Sequence, residues 1–179
     1  YARRGYAVAI QDLRSRYRSE GDGKYYHTAN PWEGQDGYDT VEWLADAEWS
    51  SGKIGTMGSS HRAITQTQLA LENPPHLSAM WVEAGPTNIF SHEAREGGAM
   101  SLQMFAALHL HALDAQEIQD DPNKARIIIE GMRNMKNWIS KFPIKPGETA
   151  LRVAPCLEKT AFDYYYRGIY DDWWNQECC

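Results

Sequence analysis

The chain has 179 residues, enough for one domain with a sizeable core, and it carries a formal net charge of −6 with 42% hydrophobic residues. Its basic clusters, such as residues 14–18, are short and interrupted, so the sequence does not predict a nucleic-acid-binding surface, which needs a larger basic stripe. The sequence contains no run of about 18 apolar residues, so it does not predict a membrane span. Its amino terminus lacks the pattern of a charged segment followed by an apolar one, so it does not predict a signal peptide.

The amino-terminal segment predicts a buried strand followed by a loop. Residues 5–10 (GYAVAI) form a nearly continuous apolar run, which is typical of a strand covered on both faces in a parallel sheet. Residues 13–34 are polar and contain Gly21, Gly23 and Pro31, so we predict a long loop there.

Strands and helices then alternate. Apolar residues recur every three or four positions over 37–49, which predicts a helix with Trp43 and Trp49 in the core. The next predicted elements are a strand over 53–57, a tight turn over 58–62, a helix over 63–72 and a strand over 77–83. This order predicts an α/β fold with a parallel sheet, of the doubly wound kind.

The second half of the chain has a different pattern. Residues 88–142 show helical periods, notably over 102–113 and 125–139, without further strand alternation, and 161–174 predicts another short helix. We therefore predict two parts, an α/β core segment over 1–87 and a helical cap subdomain over 88–179. The cap is expected to lie over the carboxyl ends of the strands, and Trp173 and Trp174 could line its interface.

Ser60 is the candidate nucleophile. A hydrolase elbow requires a buried strand that ends at the glycine, a sharply turned serine and a helix that starts at once, with small neighbours where the helix approaches the strand. The order strand, Gly58-Ser59-Ser60, helix meets these requirements. The amino terminus of the helix would also direct the backbone N–H of His61 toward an oxyanion.

Two alternatives at this turn stay open. Ser60 could simply cap the helix that begins at His61. Ser59 is the weaker candidate nucleophile because it occupies the variable position after Gly58. His61 is poorly placed as a general base, since a base normally reaches the serine from a different loop.

Other polar residues favour structural roles. His109 and His111 lie two apart on a predicted helix, so they face different directions and are read as core or surface histidines. The pairs 120–121 and 171–172 are adjacent aspartates at helix ends, where we expect caps. Cys156, Cys178 and Cys179 have no spacing that predicts a zinc site.

The order of several blocks resembles the X-Pro dipeptidyl-peptidase and cocaine-esterase-like acyl hydrolases. The blocks are GYAVAIQDLR at 5–14, SEG at 19–21, GYDTVEWL at 37–44, WSSGKIG at 49–55, GSS at 58–60 and PPHL at 74–77. They cover roughly the first half of the chain, and the remainder, including 170–174, resembles the family's cap more loosely.

The resemblance implies a serine hydrolase of ester or peptide substrates that needs no cofactor. Ser60 takes the position of the nucleophile, and the backbone N–H of His61 takes one oxyanion position. The family usually has Tyr after the serine and Gly three residues beyond it, whereas this chain has His61 and Ala63. We expect Ala63 to be a mild change and His61 to alter a side chain near the substrate pocket. The second oxyanion donor, a tyrosine, precedes this segment in the family, and the catalytic Asp and His follow the cap.

Both ends of the sequence predict a central fragment of such an enzyme. Residue 1 is Tyr and a predicted strand follows almost at once, while the carboxyl end stops in an aromatic run without a turn signal. We expect the isolated chain to be inactive and to associate, as a homo-oligomer or with the remainder of the same protein. The alternative is a non-catalytic, truncated or degenerate hydrolase-like chain with a structural or binding role.

Overall fold

The computed structural model describes residues 1–21 and 31–177. Its longer elements are α1 (Pro31–Ala45), β1 (Ile54–Ser59), α2 (His61–Leu71), β2 (Leu77–Glu83), β3 (Arg95–Glu96), β4 (Ala99–Met100), α3 (Leu102–Ala112), α4 (Gln116–Gln119), α5 (Pro122–Arg133), α6 (Met135–Ile139), α7 (Pro155–Tyr166) and α8 (Asp172–Glu177). Short 3-10 helices lie at Ala2–Arg4 and Ala150–Val153, and a π-helical turn lies at Phe90–Ala94. Within the described ranges, no helix has the length and apolar character to cross a membrane. The predictions on Gly23, Cys178 and Cys179 fall outside the described residues.

A parallel β–α–β unit forms the amino-terminal half. β1 and β2 pair in parallel, with Gly58 opposite Val82 and Ser59 opposite Glu83. Helix α2 connects the two strands and packs on both, and α1 packs against α2. This is the α/β arrangement that the sequence predicts, and β2 has the predicted bounds.

The predicted first strand is wrong. Among the described residues, 5–10 pair with no strand, and these residues are all exposed, with Ile10 92% accessible. An apolar run becomes a buried strand only when a sheet edge and a covering layer are available to it, and composition alone does not supply either. The predicted loop is also too long, because α1 already begins at Pro31.

The segment after this run is anchored by two arginines. The guanidinium of Arg14 donates to both carboxylate oxygens of Asp36 on α1, each at 2.5 Å. Arg16 is 5% exposed, and its Nη1 lies 3.4 Å from the carbonyl oxygen of His111 on α3. This segment therefore links the α/β core to the helical part.

In the part of the chain that the structure describes, one face of the sheet carries exposed side chains, which corrects the prediction of buried strands. Met57 on β1 is 57% exposed and Trp81 on β2 is 68% exposed. Trp43 and Trp49, predicted as core residues, are 71% and 62% exposed. In α1 the buried face contains Val41, and a residue two positions along a helix points to a different side.

The helical part packs around Phe105 of α3. This ring is fully buried and lies near His109, Trp138 and Phe162, at centroid distances of 5.3 to 6.0 Å. Ile64 of α2 belongs to the same hydrophobic cluster, so the two halves share a core. The domain boundary between 87 and 88, and the position of the cap relative to Ser60, stay predictions.

Two further details of this part differ from the sequence prediction. A small antiparallel hairpin, β3–β4, interrupts a region predicted to have no strands, and Gly97 and Gly98 form its turn at φ 58° and 88°. Strands of two residues are too short to show alternation. The helices predicted over 125–139 and 161–174 are each two helices, α5 and α6 in one case and α7 and α8 in the other.

The predicted aspartate caps are confirmed. Oδ1 of Asp121 accepts from the N–H groups of Asn123 and Lys124 at the start of α5. Oδ1 of Asp171 accepts from the N–H groups of Trp173 and Trp174 at the start of α8.

Candidate active site

The backbone at Ser60 makes a strained, sharp turn between β1 and α2. Its φ is 60° and its ψ is −128°, a conformation that non-glycine residues rarely adopt and that costs about 1–3 kcal/mol. The N–H of Ser60 donates to the carbonyl oxygen of Glu83 on β2 at 3.0 Å, which ties the turn to the sheet. The residue is exposed at the end of β1. Strand, turn and helix are thus arranged as an elbow requires.

Ser60 occupies the N-cap position of α2 without acting as a cap. Its side chain makes no capping hydrogen bond, while its carbonyl oxygen accepts from the N–H groups of Ala63 and Ile64 at 2.7 and 3.2 Å. The simple capping role is therefore not what holds this serine in place. The first N–H groups of an α-helix have no acceptor within the helix, so α2 can offer them to an anion next to Ser60.

Small residues allow the elbow to close. A Cβ at Gly58 would lie 2.5 Å from Cβ of Arg62 on α2, so only glycine fits there without a shift of the helix. Ala63 is fully buried against Gly85, where an added Cβ would lie 2.3 Å from Cβ of Ala63. The methyl group of Ala63 is accommodated because residue 85 is glycine, and α2 still fits against the sheet.

The His61 side chain lies below the surface. The His61 side chain is 10% exposed, and its Nε2 lies 3.7 Å from Oε2 of Glu33, a buried carboxylate on α1. Burial, together with the positive charge of His111, Arg16 and Arg62, lowers the pKa of His61 to about 4. His61 is neutral at neutral pH and faces α1 rather than the exposed surface.

This environment predicts an acid-sensitive contribution to stability. Because the pKa of His61 is about 4 in the folded chain and 6.5 in the ordinary case, the unfolded chain binds more protons between these values, so stability falls as the pH falls through this range. The full effect is about 3 kcal/mol. The parent chain loses unfolding free energy when the pH falls from about 7.5 to about 4.5. We expect this loss to be smaller by about 2 to 3 kcal/mol in His61→Gln, as measured by urea denaturation at the two pH values.

The control for this prediction is His92→Gln, because His92 is exposed. That variant should keep the pH dependence of the parent chain. Identical pH profiles for His61→Gln and the parent chain would mean that the imidazole of residue 61 is not held neutral by its surroundings.

The other candidate residues do not gather at Ser60. His109 is fully buried, as predicted for a core histidine, and its Nδ1 lies 3.0 Å from the carbonyl oxygen of Phe105. His111 is half-buried near Arg16. Cys156 is exposed and is not in a disulfide. In residues 1–21 and 31–177, no group of three or more His, Cys, Asp or Glu side chains is placed to hold a metal ion.

An open concavity of about 380 Å³ lies at the carboxyl end of β2. Its lining residues are Val82, Ala84, Gly85, Pro86, Thr87, His92 and Glu93. Since Val82 pairs with Gly58 and Gly85 contacts Ala63, the concavity adjoins the elbow. Burial raises the pKa of the Glu93 carboxyl in this wall. Ser60 is not among the lining residues, so its opening into a substrate cleft stays a prediction.

Sequence reasoning missed two polar residues behind the elbow, Gln66 and Thr56. Gln66 is 4% exposed on the face of α2 that packs on the sheet, and its amide contacts both strands. Oγ1 of Thr56 on β1 donates to Oε1 of Gln66 at 2.9 Å. The available signal in the sequence is the spacing of Gln66, three residues after Ala63 and three before Leu69. This spacing places Gln66 on the same face of the helix as these two apolar residues.

Comparison with known proteins decides the family. The model of the X-Pro dipeptidyl-peptidase (S15) family matches residues 1–177. The chain belongs to this family. Its members include esterase- and peptidase-type hydrolases, in agreement with the resemblance found in the sequence blocks.

The S15-family chain is similar to a cocaine esterase in sequence and to a CocE/NonD family hydrolase in structure. It is 30% identical over 104 residues to cocaine esterase of Rhodococcus sp. (strain MB1 Bresler), covering 58% of this chain and 17% of that protein. The structure superposes on a CocE/NonD family hydrolase of Staphylococcus aureus with a TM-score of 0.54 at 22% identity, covering 88% of this chain and 23% of that one. The second comparison supports the α/β-hydrolase type of fold. The chain spans less than a quarter of either relative.

Proposed function

We propose that this S15-family chain carries the nucleophile of a serine hydrolase that cleaves ester or amide bonds, of the acyl or X-Pro dipeptidyl type. The observation that carries the proposal is the backbone of Ser60, strained at φ 60° and exposed between β1 and α2. A structure retains such strain where the surroundings impose it, and these sites are commonly functional. The absence of a capping hydrogen bond from its side chain supports the same assignment.

The proposed reaction proceeds through an acyl-enzyme. Oγ of Ser60 attacks the carbonyl carbon of the substrate while its proton passes to a base, and the carbonyl oxygen becomes an oxyanion. The backbone N–H of His61, at the amino end of α2, donates to that oxyanion. Collapse breaks the bond to the alcohol or amine, which takes up the proton. Water then attacks the acyl-serine in the same way, releasing the acid and restoring Ser60.

The base and the group that orients it are proposed to come from outside these 179 residues. His61 is buried toward Glu33, and the imidazole of His109 is enclosed in the helical core. In the family the catalytic Asp and His follow the cap. We therefore expect the chain alone to hydrolyse p-nitrophenyl butyrate far more slowly than an enzyme, with at most the residual acceleration of about 10³ over water that hydrolases without a triad retain.

Covalent labelling tests the nucleophile directly. The purified chain is treated with a fluorophosphonate, and the modified residue is mapped by peptide mass spectrometry. We expect slow labelling at Ser60 that is lost in Ser60→Ala and kept in Ser59→Ala, the matched change at the adjacent serine. Labelling that persists in Ser60→Ala would overturn the assignment. Fast ester turnover that Ser60→Ala abolishes would instead show that a base is present within the chain.

A binding or structural role is the second candidate. Three tryptophans, Trp43, Trp49 and Trp81, are each more than 60% exposed, and exposed apolar surface commonly marks an interface. The remainder of a larger hydrolase or a second copy of the chain would cover this surface. Sedimentation of the folded chain separates the two candidates: association together with unlabelled Ser60 supports the binding role, and labelled Ser60 supports the hydrolase.

A further inference from the structure

The side-chain amide of Gln66 joins the three segments that surround the elbow. Nε2 lies 2.8 Å from the carbonyl oxygen of Arg62 on α2, 3.3 Å from that of Trp81 on β2 and 3.4 Å from that of Gly58 on β1. Oε1 accepts from the hydroxyl of Thr56. Gln66 is thus a buried amide whose oxygen and nitrogen both have partners.

The orientation of this amide follows from its neighbours. A hydroxyl can donate to Oε1, whereas carbonyl oxygens can only accept, so Nε2 must face the three carbonyl groups. Rotation of the amide by half a turn would place Oε1 against three acceptors. The two hydrogens of Nε2 serve three oxygens, and one hydrogen is therefore shared.

The contacts of Gln66 bracket Ser60 along the chain. Gly58 is two residues before the serine and Arg62 is two residues after it. Trp81 is two residues before Glu83, whose carbonyl oxygen accepts the N–H of Ser60. The Gln66 side chain thus contacts the backbone on both sides of the strained turn, and it also contacts β2, the strand that accepts the hydrogen bond from the N–H of Ser60. A backbone conformation of this kind persists only where its surroundings fix it.

We propose that Gln66 is a positioning residue for the nucleophile, and that Thr56 fixes the orientation of its amide. This inference rests on the proposed function of Ser60. Gln66 touches no substrate; it acts through the backbone at Gly58 and Arg62, and so on the direction of the Ser60 hydroxyl and of the His61 N–H. A residue with this role affects reactivity at Ser60 more than it affects folding.

Gln66→Met tests the inference, because methionine has a similar length and cannot donate to the three carbonyl groups. Two measurements are made on the full chain: the rate of Ser60 labelling by the fluorophosphonate, and the backbone amide NMR signals of Ser60 and His61. We expect labelling to slow by about tenfold or more, as for a loss of about 1.4 kcal/mol at the reacting centre, and both signals to move. Gln68→Met is the matched control, since Gln68 lies on the same helix and is 8% exposed; it should leave both measurements unchanged.

Thr56→Val provides a second variant that keeps the shape of the side chain and all three carbonyl contacts. We expect a smaller slowing of labelling, in the same direction, and smaller shifts of the same two amide signals. If Gln66→Met does not fold, this variant decides the question. Unchanged amide signals of Ser60 and His61 in the folded variants would overturn the positioning role. Labelling that survives Ser60→Ala would overturn the proposed function instead, so the two failures are distinguishable.

Discussion

Replacing Phe105 by alanine is expected to lower the free energy of unfolding by about 3–5 kcal/mol, the range for a fully buried aromatic ring. The ring is 0% exposed in the centre of the helical cluster and contacts aromatic side chains on three sides. Its removal costs the transfer energy of the ring and leaves a cavity that the surrounding helices fill only in part. Urea denaturation followed by tryptophan fluorescence measures the change.

The same variant tests whether the elbow unfolds together with the helices. Ile64 of α2 belongs to the cluster around Phe105, so we expect hydrogen exchange of the Ser60 N–H to accelerate in Phe105→Ala. Leu110→Ala is the matched control on α3, because Leu110 is 53% exposed and should change stability by less than about 1 kcal/mol. Exchange at Ser60 that is unaffected by Phe105→Ala would mean that the α/β core and the helical part unfold separately.

Replacing Arg95 by methionine is expected to lower the free energy of unfolding by about 3 kcal/mol, because hydrogen bonds to a charged group are each worth about 1.5–3 kcal/mol and several are lost together. Arg95 is 8% exposed, and its guanidinium donates to the carbonyl oxygens of Gly98, Tyr164, Tyr165 and Arg167 at 2.9 to 3.1 Å. Two of these acceptors lie in the last turn of α7, where a positive charge also interacts favourably with the helix dipole and stabilises the helix.

Methionine keeps most of the apolar contact of the arginine stem, so the variant isolates the hydrogen bonds. Arg126→Met is the matched control, because the Arg126 side chain is 65% exposed and its ion pair with Glu130 is worth at most about 0.5 kcal/mol. Thermal unfolding of the two variants beside the parent chain measures the difference. Equal stabilities of Arg95→Met and Arg126→Met would show that Arg95 does not hold the hairpin against α7.

The local order of elements around Ser60 could be predicted because it depends on short-range patterns. The strand after Lys53 and the helix up to Leu71 each have a signal within a few residues, and β2 has the bounds that its apolar run predicts. The turn between them is shorter than predicted, because β1 continues to Ser59 and only Ser60 separates it from α2. Steric rules add the requirement for glycine at residue 58, where the helix approaches the strand. The family blocks extend this reading, since they are also local.

The contacts between distant segments could not be predicted from these patterns. Glu33 meets His61 across 28 residues, and Arg95 meets α7 across about 70, because the folded backbone brings them together. Alternation and helical period describe which faces of an element are apolar, but they do not say which of these faces a partner covers.

The sequence by itself determined the family, the α/β class and the position of Ser60 between a strand and a helix. Tertiary structure decided that residues 5–10 are exposed rather than paired, that Trp43 and Trp49 lie outside the core, and that His61 is buried and neutral. It also decided that the side-chain amide of Gln66 on α2 lies within hydrogen-bond distance of the carbonyl oxygens of Gly58 and Arg62, on either side of Ser60. The physical reason is the same in each case. The burial, the charge state and the hydrogen-bond partners of a residue depend on which distant segments the fold packs against it, and local sequence patterns do not specify those segments.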